Sequence, residues 1–338
     1  MGWLQLAAGG FLCADEARAT RSTPGGLRLP LLAPGGLLPF RYVAVGSEGS
    51  GEYLQPEDAA SDYFLRELLP GSAVTVERRL KVGGAWFWRT TRGTFVPAGE
   101  VYPVEASPFA GQALKGEWRL PLAFVHGSRA QRFTSPGRAG AGWLPRYHRA
   151  AVIAERGRFL ELGPGLWVRR GEVRLARVEP PPPGVGPEEP WVDVDVSEQV
   201  LVAYRGPNPV FATLVSSGRR ARTPLGTFRV WVKLAATDMR SGPREEGRPY
   251  QLWDVPWAAF FNGDFGLHGT YWHDRFGHTK SAGCVNLSPR DAKQVFQMLR
   301  PELLPGWWAV LSRPKEEGSV VRVRDGRRPP RPSRAKGP

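Results

Sequence analysis

Between Glu179 and Pro190 the chain reads EPPPPGVGPEEP, and no helix or sheet ladder can run through it. Each proline fixes its own φ and has no N–H to give to a ladder. Four in succession hold the backbone in an extended polyproline form. The stretch (179–190) reads as a stiff linker. It divides the 338 residues into two parts, each long enough to bury a core.

Glycine and proline together supply 74 residues, 41 and 33 respectively. That composition favours turns and short strands over long helices, and thirteen tryptophans suit strand-rich modules. The expected fold class is therefore mainly β. Ahead of the linker a Trp-then-Gly-then-apolar pattern recurs: Trp3 with Gly9 to Leu12, Trp86 to Trp88 with Gly93 to Val96, and Trp167-Val168 with Gly171 to Val173. Period-two segments flank each instance, as half-buried strands require. The pattern resembles bacterial SH3-like modules, small β-barrels, expected here over 1–105 and 106–178.

After the linker, Trp191 to Val196 and Gln199 to Tyr204 alternate cleanly, and Gly206-Pro207-Asn208 turns the second run into a strand from Val210 to Val215. Thr223-Pro224-Leu225-Gly226 turns into a further strand, Phe228 to Val232. One helix is expected. Ser288 caps it, Pro289 occupies the first turn, and Asp291 completes a capping box. Ala292, Val295, Phe296 and Leu299 then recur at helical spacing until Pro301. The domain is expected over 191–313, with 314–338 as a basic, disordered tail.

The net charge is +14, and the last 25 residues hold eight basic against three acidic groups. The charge reads first as an arginine-biased composition with a solvated tail; as a partner, a polyanionic envelope surface suits it better than nucleic acid, which calls for one concentrated stripe. No run of eighteen apolar residues is present, so no transmembrane segment is expected. The opening residues lack the basic start and unbroken apolar run of a secretory leader, which places the true start upstream or a leader already removed. Cys13 and Cys284 lie 271 positions apart, too few and too far for a disulfide framework.

Three of the five histidines, His268, His273 and His278, fall within eleven residues, and Cys284 follows six residues later. Several chemistries fit such a cluster. A thiol attacks as thiolate and needs a base to take its proton. His268, ending an apolar run and followed by Gly269, suits that role, and the small-residue turn Ser281-Ala282-Gly283 exposes the sulfur and its N–H groups. A zinc site of three histidines and one cysteine is a rival, although spacings of five, five and six match no standard finger. A small buried cysteine beside local loop histidines is another. A redox thiol lacks a nearby resolving cysteine.

The segment resembles the catalytic domain of the L,D-transpeptidases (YkuD type). His268-Gly269-Thr270 and Ser281-Ala282-Gly283-Cys284-Val285-Asn286 match its two hallmark motifs, and Thr223 to Phe228 matches its Thr-Pro-x-Gly-x-Phe turn. Val192 to Val194 with Gln199 and Tyr204 is similar to the family's opening strands, which pair with Val215 to Gly218. The resemblance implies a β-sandwich with one or two short helices. It implies Cys284 as nucleophile, His268 as base with its second nitrogen on the Gly269 carbonyl, and N–H groups around Gly283 for the oxyanion. Ser281, Asn286, Tyr271, Trp272, His278 and Thr270 are the expected substrate-side residues. Ala282 stands where the family usually has histidine, with His273 or His278 as substitutes. The implied partners are peptidoglycan stem peptides, with an anchored envelope protein as a further acceptor, and no metal or cofactor. The implied reaction is acyl transfer in the cell envelope, with L,D-carboxypeptidase action or a catalytically weakened wall-binding protein as alternatives.

Overall fold

The computed structural model describes residues 29–240 and 250–327, together with two short strands at Trp3–Gln5 and Phe11–Cys13. The C-terminal domain contributes β1 (Pro190–Asp195), β2 (Val200–Arg205), β3 (Asn208–Leu214), β4 (Gly226–Arg229), β5 (Val232–Arg240) and β6 (Gln251–Asn262). Then come β7 (Phe265–Gly269), β8 (Val285–Leu287), α1 (Pro289–Met298), β9 (Ala309–Leu311) and β10 (Val320–Arg324). Among the described residues α1 is the single α-helix.

One sheet runs β3-β2-β1-β10-β4, extended beyond β3 by the two-residue strand Gln112–Ala113. Its pairs are antiparallel except β1 with β10. The alternation in β1 and β2 has a consequence that the sequence hid. Val192, Val194, Leu201 and Ala203 join one core, while Trp191, Val200, Val202 and Tyr204 join another. Both faces are covered, so these strands are not half-buried.

The first core lies between this sheet and a second one, β8-β7-β6-β5-β9. Trp257, Ala259, Phe261, Leu267, Val285 and Leu287 line it, and α1 closes it with Ala292, Val295, Phe296 and Leu299. That is the expected sandwich. The Ser288 cap is also present: its side chain accepts from the Asp291 N–H, and Pro289 occupies the first turn. The expected capping box is not. The Asp291 carboxylate accepts from Gly111 N at 2.9 Å and Thr213 Oγ1 at 2.6 Å, and it also meets the Ser288 side chain. Burial raises its pKa to about 6 against those bonds.

The second core is shared with the region ahead of the linker. In the strand Leu122–Val125, Leu122 and Phe124 face Trp191 and Tyr204, whereas Ala123 and Val125 face a core within residues 123–175. The earlier strands Arg41–Val45, Ala73–Val82, Ala85–Thr90, Phe95–Pro97 and Val101–Pro103 pack around Val43, Val74, Val76 and Val96. They receive Trp253 from β6, and Ala73 pairs with Leu252. Two small β modules thus lie against the C-terminal domain.

Two boundaries differ from expectation. The tail expected from 314 contains β10, which inserts between β1 and β4. Its Arg322 and Arg324 grip Asp193, which is 1% exposed. Basic composition concealed a period-two strand whose charges neutralise buried carboxylates. Residues 328–338 lie outside the described residues. The Pro-rich segment is not a free spacer either. The Pro180 carbonyl accepts from Arg322 Nη1 at 2.9 Å, and Glu189 pairs with Arg229 at 2.7 Å.

Candidate active site

β7 and β8 are parallel neighbours in register, with Leu267 beside Val285, His268 beside Asn286 and Gly269 beside Leu287. Cys284 immediately precedes β8 and therefore sits beside Gly266, two positions from His268. Side chains two apart in a strand share a face, so His268, Cys284 and Asn286 project from the same side. At strand spacing, the Cα atoms of His268 and Cys284 are roughly 8 Å apart. The topology, rather than sequence proximity, sets Cys284 at the start of the strand that pairs with the one carrying His268.

His268 is 2% exposed. Its Nδ1 lies 3.2 Å from the Gly269 carbonyl oxygen. A carbonyl accepts only, so Nδ1 carries the proton and Nε2 keeps its lone pair. Burial holds the imidazole pKa down to about 4, opposed by that hydrogen bond. The ring is thus neutral near pH 7. Trp272 stacks on it with centroids 5.8 Å apart. Gly269 has a steric reason to be glycine: a Cβ there would lie 2.9 Å from Pro256 Cγ and 3.4 Å from Ala292 Cβ.

Cys284 is partly exposed, and its thiol donates to the Asp264 carbonyl at 3.4 Å. The preceding turn is braced from within. Ser281 Oγ donates to the Cys284 carbonyl and accepts from Gly283 N at 3.1 Å. Thr223 Oγ1 accepts from Gly218 N and donates to the Gly283 carbonyl, each at 2.7 Å. Ser216 and Gly218 bridge Asn286 and Ser281. Of the segment 215–218, expected to pair with the opening strands, Val215 N donates to the Gln199 carbonyl and Ser217 N donates to the Gln199 side-chain oxygen, each at 2.8 Å.

His273 joins the cluster. Its Nδ1 accepts from Arg275 N at 3.2 Å, and its Nε2 lies 3.0 Å from the Asn286 side-chain amide. A neutral imidazole accepting at Nδ1 holds its proton on Nε2, so the amide must present its oxygen there. Burial, with Lys280 and His268 nearby, holds the His273 pKa down to about 3.

Several expected substrate-side residues serve the framework instead. The Gly283 N–H, expected at the oxyanion, is taken by Ser281. Tyr271 is 1% exposed, stacks on Tyr42 at 3.7 Å, and donates to the Trp253 carbonyl at 2.8 Å, so it is a core residue. Thr270 is fully buried and Asn286 nearly so, as is His268. The His278 Nε2 donates to the His126 carbonyl of the second module at 3.1 Å. Trp272 keeps its place at the site and also lines an open cleft of about 490 Å³ with Tyr102, Tyr250 and Leu252. Asp274 and its partners Ser107, Arg146 and Tyr147 carry no sequence signal, because they meet across 127 residues or more.

The family model for the L,D-transpeptidase catalytic domain matches residues 189–323. The chain is similar to the Bacillus subtilis (strain 168) protein YciB, provisionally named an L,D-transpeptidase. The two are 28% identical over 130 residues, covering 34% of this chain and 63% of that protein. It is also similar to the solved catalytic domain of the Enterococcus faecium L,D-transpeptidase, at 25% identity, covering 40% of this chain and 97% of that one, with a TM-score of 0.32. An L,D-transpeptidase from Stackebrandtia nassauensis matches at 25% identity over 41% of this chain and 56% of that one, with a TM-score of 0.28. Thus the chain spans less than two thirds of YciB's length. Residues 189–323 thus match the model of the L,D-transpeptidase catalytic domain, and the two motifs lie on and beside β7 and β8 within that stretch.

Proposed function

We propose that this chain is a peptidoglycan L,D-transpeptidase with Cys284 as nucleophile and His268 as general base. The observation that carries the reading is the pairing of β7 with β8, which sets a Nδ1-protonated, neutral imidazole on the face that bears the thiol. His268 Nε2 takes the thiol proton, and Sγ attacks the carbonyl after the L-centre of a donor stem peptide. The terminal D-residue leaves with the proton from the imidazolium. An amine from a second stem, or from an envelope protein, then attacks the thioester, releasing Cys284 and forming the new amide. Water in place of the amine makes the same site an L,D-carboxypeptidase. Residues 1–105 and 106–178 are read as SH3-like modules, and the cell envelope as the location. The net positive charge suits an anionic wall surface.

The test is intact-protein mass spectrometry after incubation with a carbapenem near pH 7, followed by muropeptide analysis. Wild type should gain one ring-opened adduct on Cys284 and produce cross-linked muropeptides, and Cys284→Ala should do neither. Slow labelling of folded wild type, no faster than that of denatured protein, would sink the proposal.

A further inference from the structure

The loop joining β7 to the nucleophile is gripped from outside the catalytic domain. Asp274 takes most of the grip. Its Oδ2 accepts from Arg146 Nη1 at 3.0 Å and its Oδ1 from Tyr147 Oη at 2.7 Å. Ser107 Oγ also donates to Oδ1, and Arg146 Nη2 donates to the Asp274 main-chain carbonyl. Three residues further on, the Gly277 carbonyl accepts from Arg174 Nε at 2.9 Å, and His278 donates to the His126 carbonyl. Between these contacts Phe276 is fully buried and stacks on Phe109. Every outer partner lies between residues 107 and 174.

The fit leaves little latitude. Gly277 has φ +91°, and a Cβ there would lie 2.7 Å from His126 Cβ, so both conformation and space require glycine. Tyr147 has φ 65°, a left-handed conformation costly for a bulky residue. Such a conformation persists where the surroundings over-determine it. Here the Tyr147 ring lies against Phe109 at 4.5 Å, and the Arg146 guanidinium covers it at 4.3 Å.

The inner side of the same loop belongs to the site. Ser216 Oγ donates to the Arg275 carbonyl at 2.7 Å, and Gly277 N donates to the Val215 carbonyl at 2.9 Å. His273 directly precedes Asp274 and takes its Nδ1 bond from Arg275, directly after it. Fixing Asp274 and Arg275 therefore fixes the ring that meets Asn286, the neighbour of His268 across the β7–β8 pair.

We infer that Asp274 is a positioning residue, and that residues 107–176 act as a clamp that sets His273 against Asn286 and so fixes β8 with the cysteine ahead of it. On this inference the second module is a working part of the catalytic site, not only a wall-binding appendage. The inference rests on the reading of Cys284 as nucleophile.

The test uses the full chain and measures the rate of Cys284 acylation by a carbapenem. Asp274→Ala and Arg146→Met should slow it about 10- to 100-fold, the range expected when reacting groups lose placement. Tyr147→Phe, which removes one hydrogen bond, should slow it about threefold. Arg177→Gln, which breaks an exposed ion pair with Glu155 in the same module, should match wild type. A role confined to stability would lower the melting temperature of the Asp274 variant and leave the acylation rate of its folded fraction unchanged. Side-chain ¹⁵N shifts give a second readout. His273 should be held as the Nε2–H tautomer in wild type and should average between tautomers in Asp274→Ala. Should Asp274→Ala fail to fold, Arg146→Met and Tyr147→Phe carry both measurements. Wild-type acylation and a wild-type tautomer in these variants would overturn the clamp. Absence of acylation in wild type would instead overturn the assignment of the nucleophile, and the tautomer readout would still decide whether the module sets His273.

Discussion

Replacing Trp272 with alanine should move the acid limb of the reaction without touching its plateau. The His268 ring is enclosed by Trp272 on one side and has His273 as its ionisable neighbour. That enclosure holds its pKa down to about 4. Without the indole, water reaches the ring and the pKa climbs toward the ordinary value of about 6.5. At about pH 5.5 the neutral fraction then falls from nearly all to about one tenth, so a step that needs neutral imidazole slows about tenfold. Near pH 8 both proteins hold a neutral imidazole and should react alike. The assay is the observed rate of Cys284 acylation by a carbapenem between about pH 4.5 and pH 8. Identical acid limbs, or an equal loss at every pH, would refute the reasoning. Stability offers a check with a definite sign. Because the folded pKa is lowered, the unfolded chain takes up a proton between about pH 6.5 and pH 4 that the folded one refuses. The fold therefore loses stability as pH falls through that window, by about 3 kcal/mol for His268 in total. Trp272→Ala should shrink that loss.

The remaining predictions concern the supports of the site. Thr223→Val removes both the acceptor for Gly218 N and the donor to the Gly283 carbonyl. In unfolding experiments it should cost about 2 kcal/mol, with slower acylation, since two buried partners lose their bonds. Asp193→Ala takes the paired carboxylate from Arg322 and leaves Arg324 with Asp195 and Glu179, and it should cost about 3–5 kcal/mol. Hydrogen exchange should then quicken first in β10, and unchanged protection there would show that the strand is held by other means.

What the sequence made legible is local or carried by short motifs. The alternation of Trp191 to Val196, the turn at Gly206 to Asn208 and the cap at Ser288 each depend on neighbours within a few residues, and each is present. The resemblance singled out His268 and Cys284. What stayed hidden depends on surfaces that meet only after folding. Tyr271 reads like a cleft wall because nothing nearby reveals Tyr42, 229 positions earlier, stacked against it. Thr270 and Asn286 lie beside the reacting groups in sequence, yet the β7–β8 pairing buries them. Asp274 passes for a solvated loop residue until Arg146 and Tyr147 arrive. In β10, the pattern Val-Val-Arg-Val-Arg did alternate, but its arginines read as a soluble tail while their partners, Asp193 and Asp195, were out of sight.

The place of β10 also sets an order of events during synthesis. Residues 320–324 fill the slot between β1 and β4, so on a ribosome the sheet stays open there after the other described strands of that sheet have emerged. β4, whose leading turn holds Thr223 against the loop ahead of Cys284, has no neighbour in that sheet until then. A chain stalled after α1 holds both His268 and Cys284 but lacks the strand that completes their support. The loop ahead of Cys284 is therefore fully framed only once the polypeptide has grown past Arg324, so the emergence of β10 sets the time at which that support is complete.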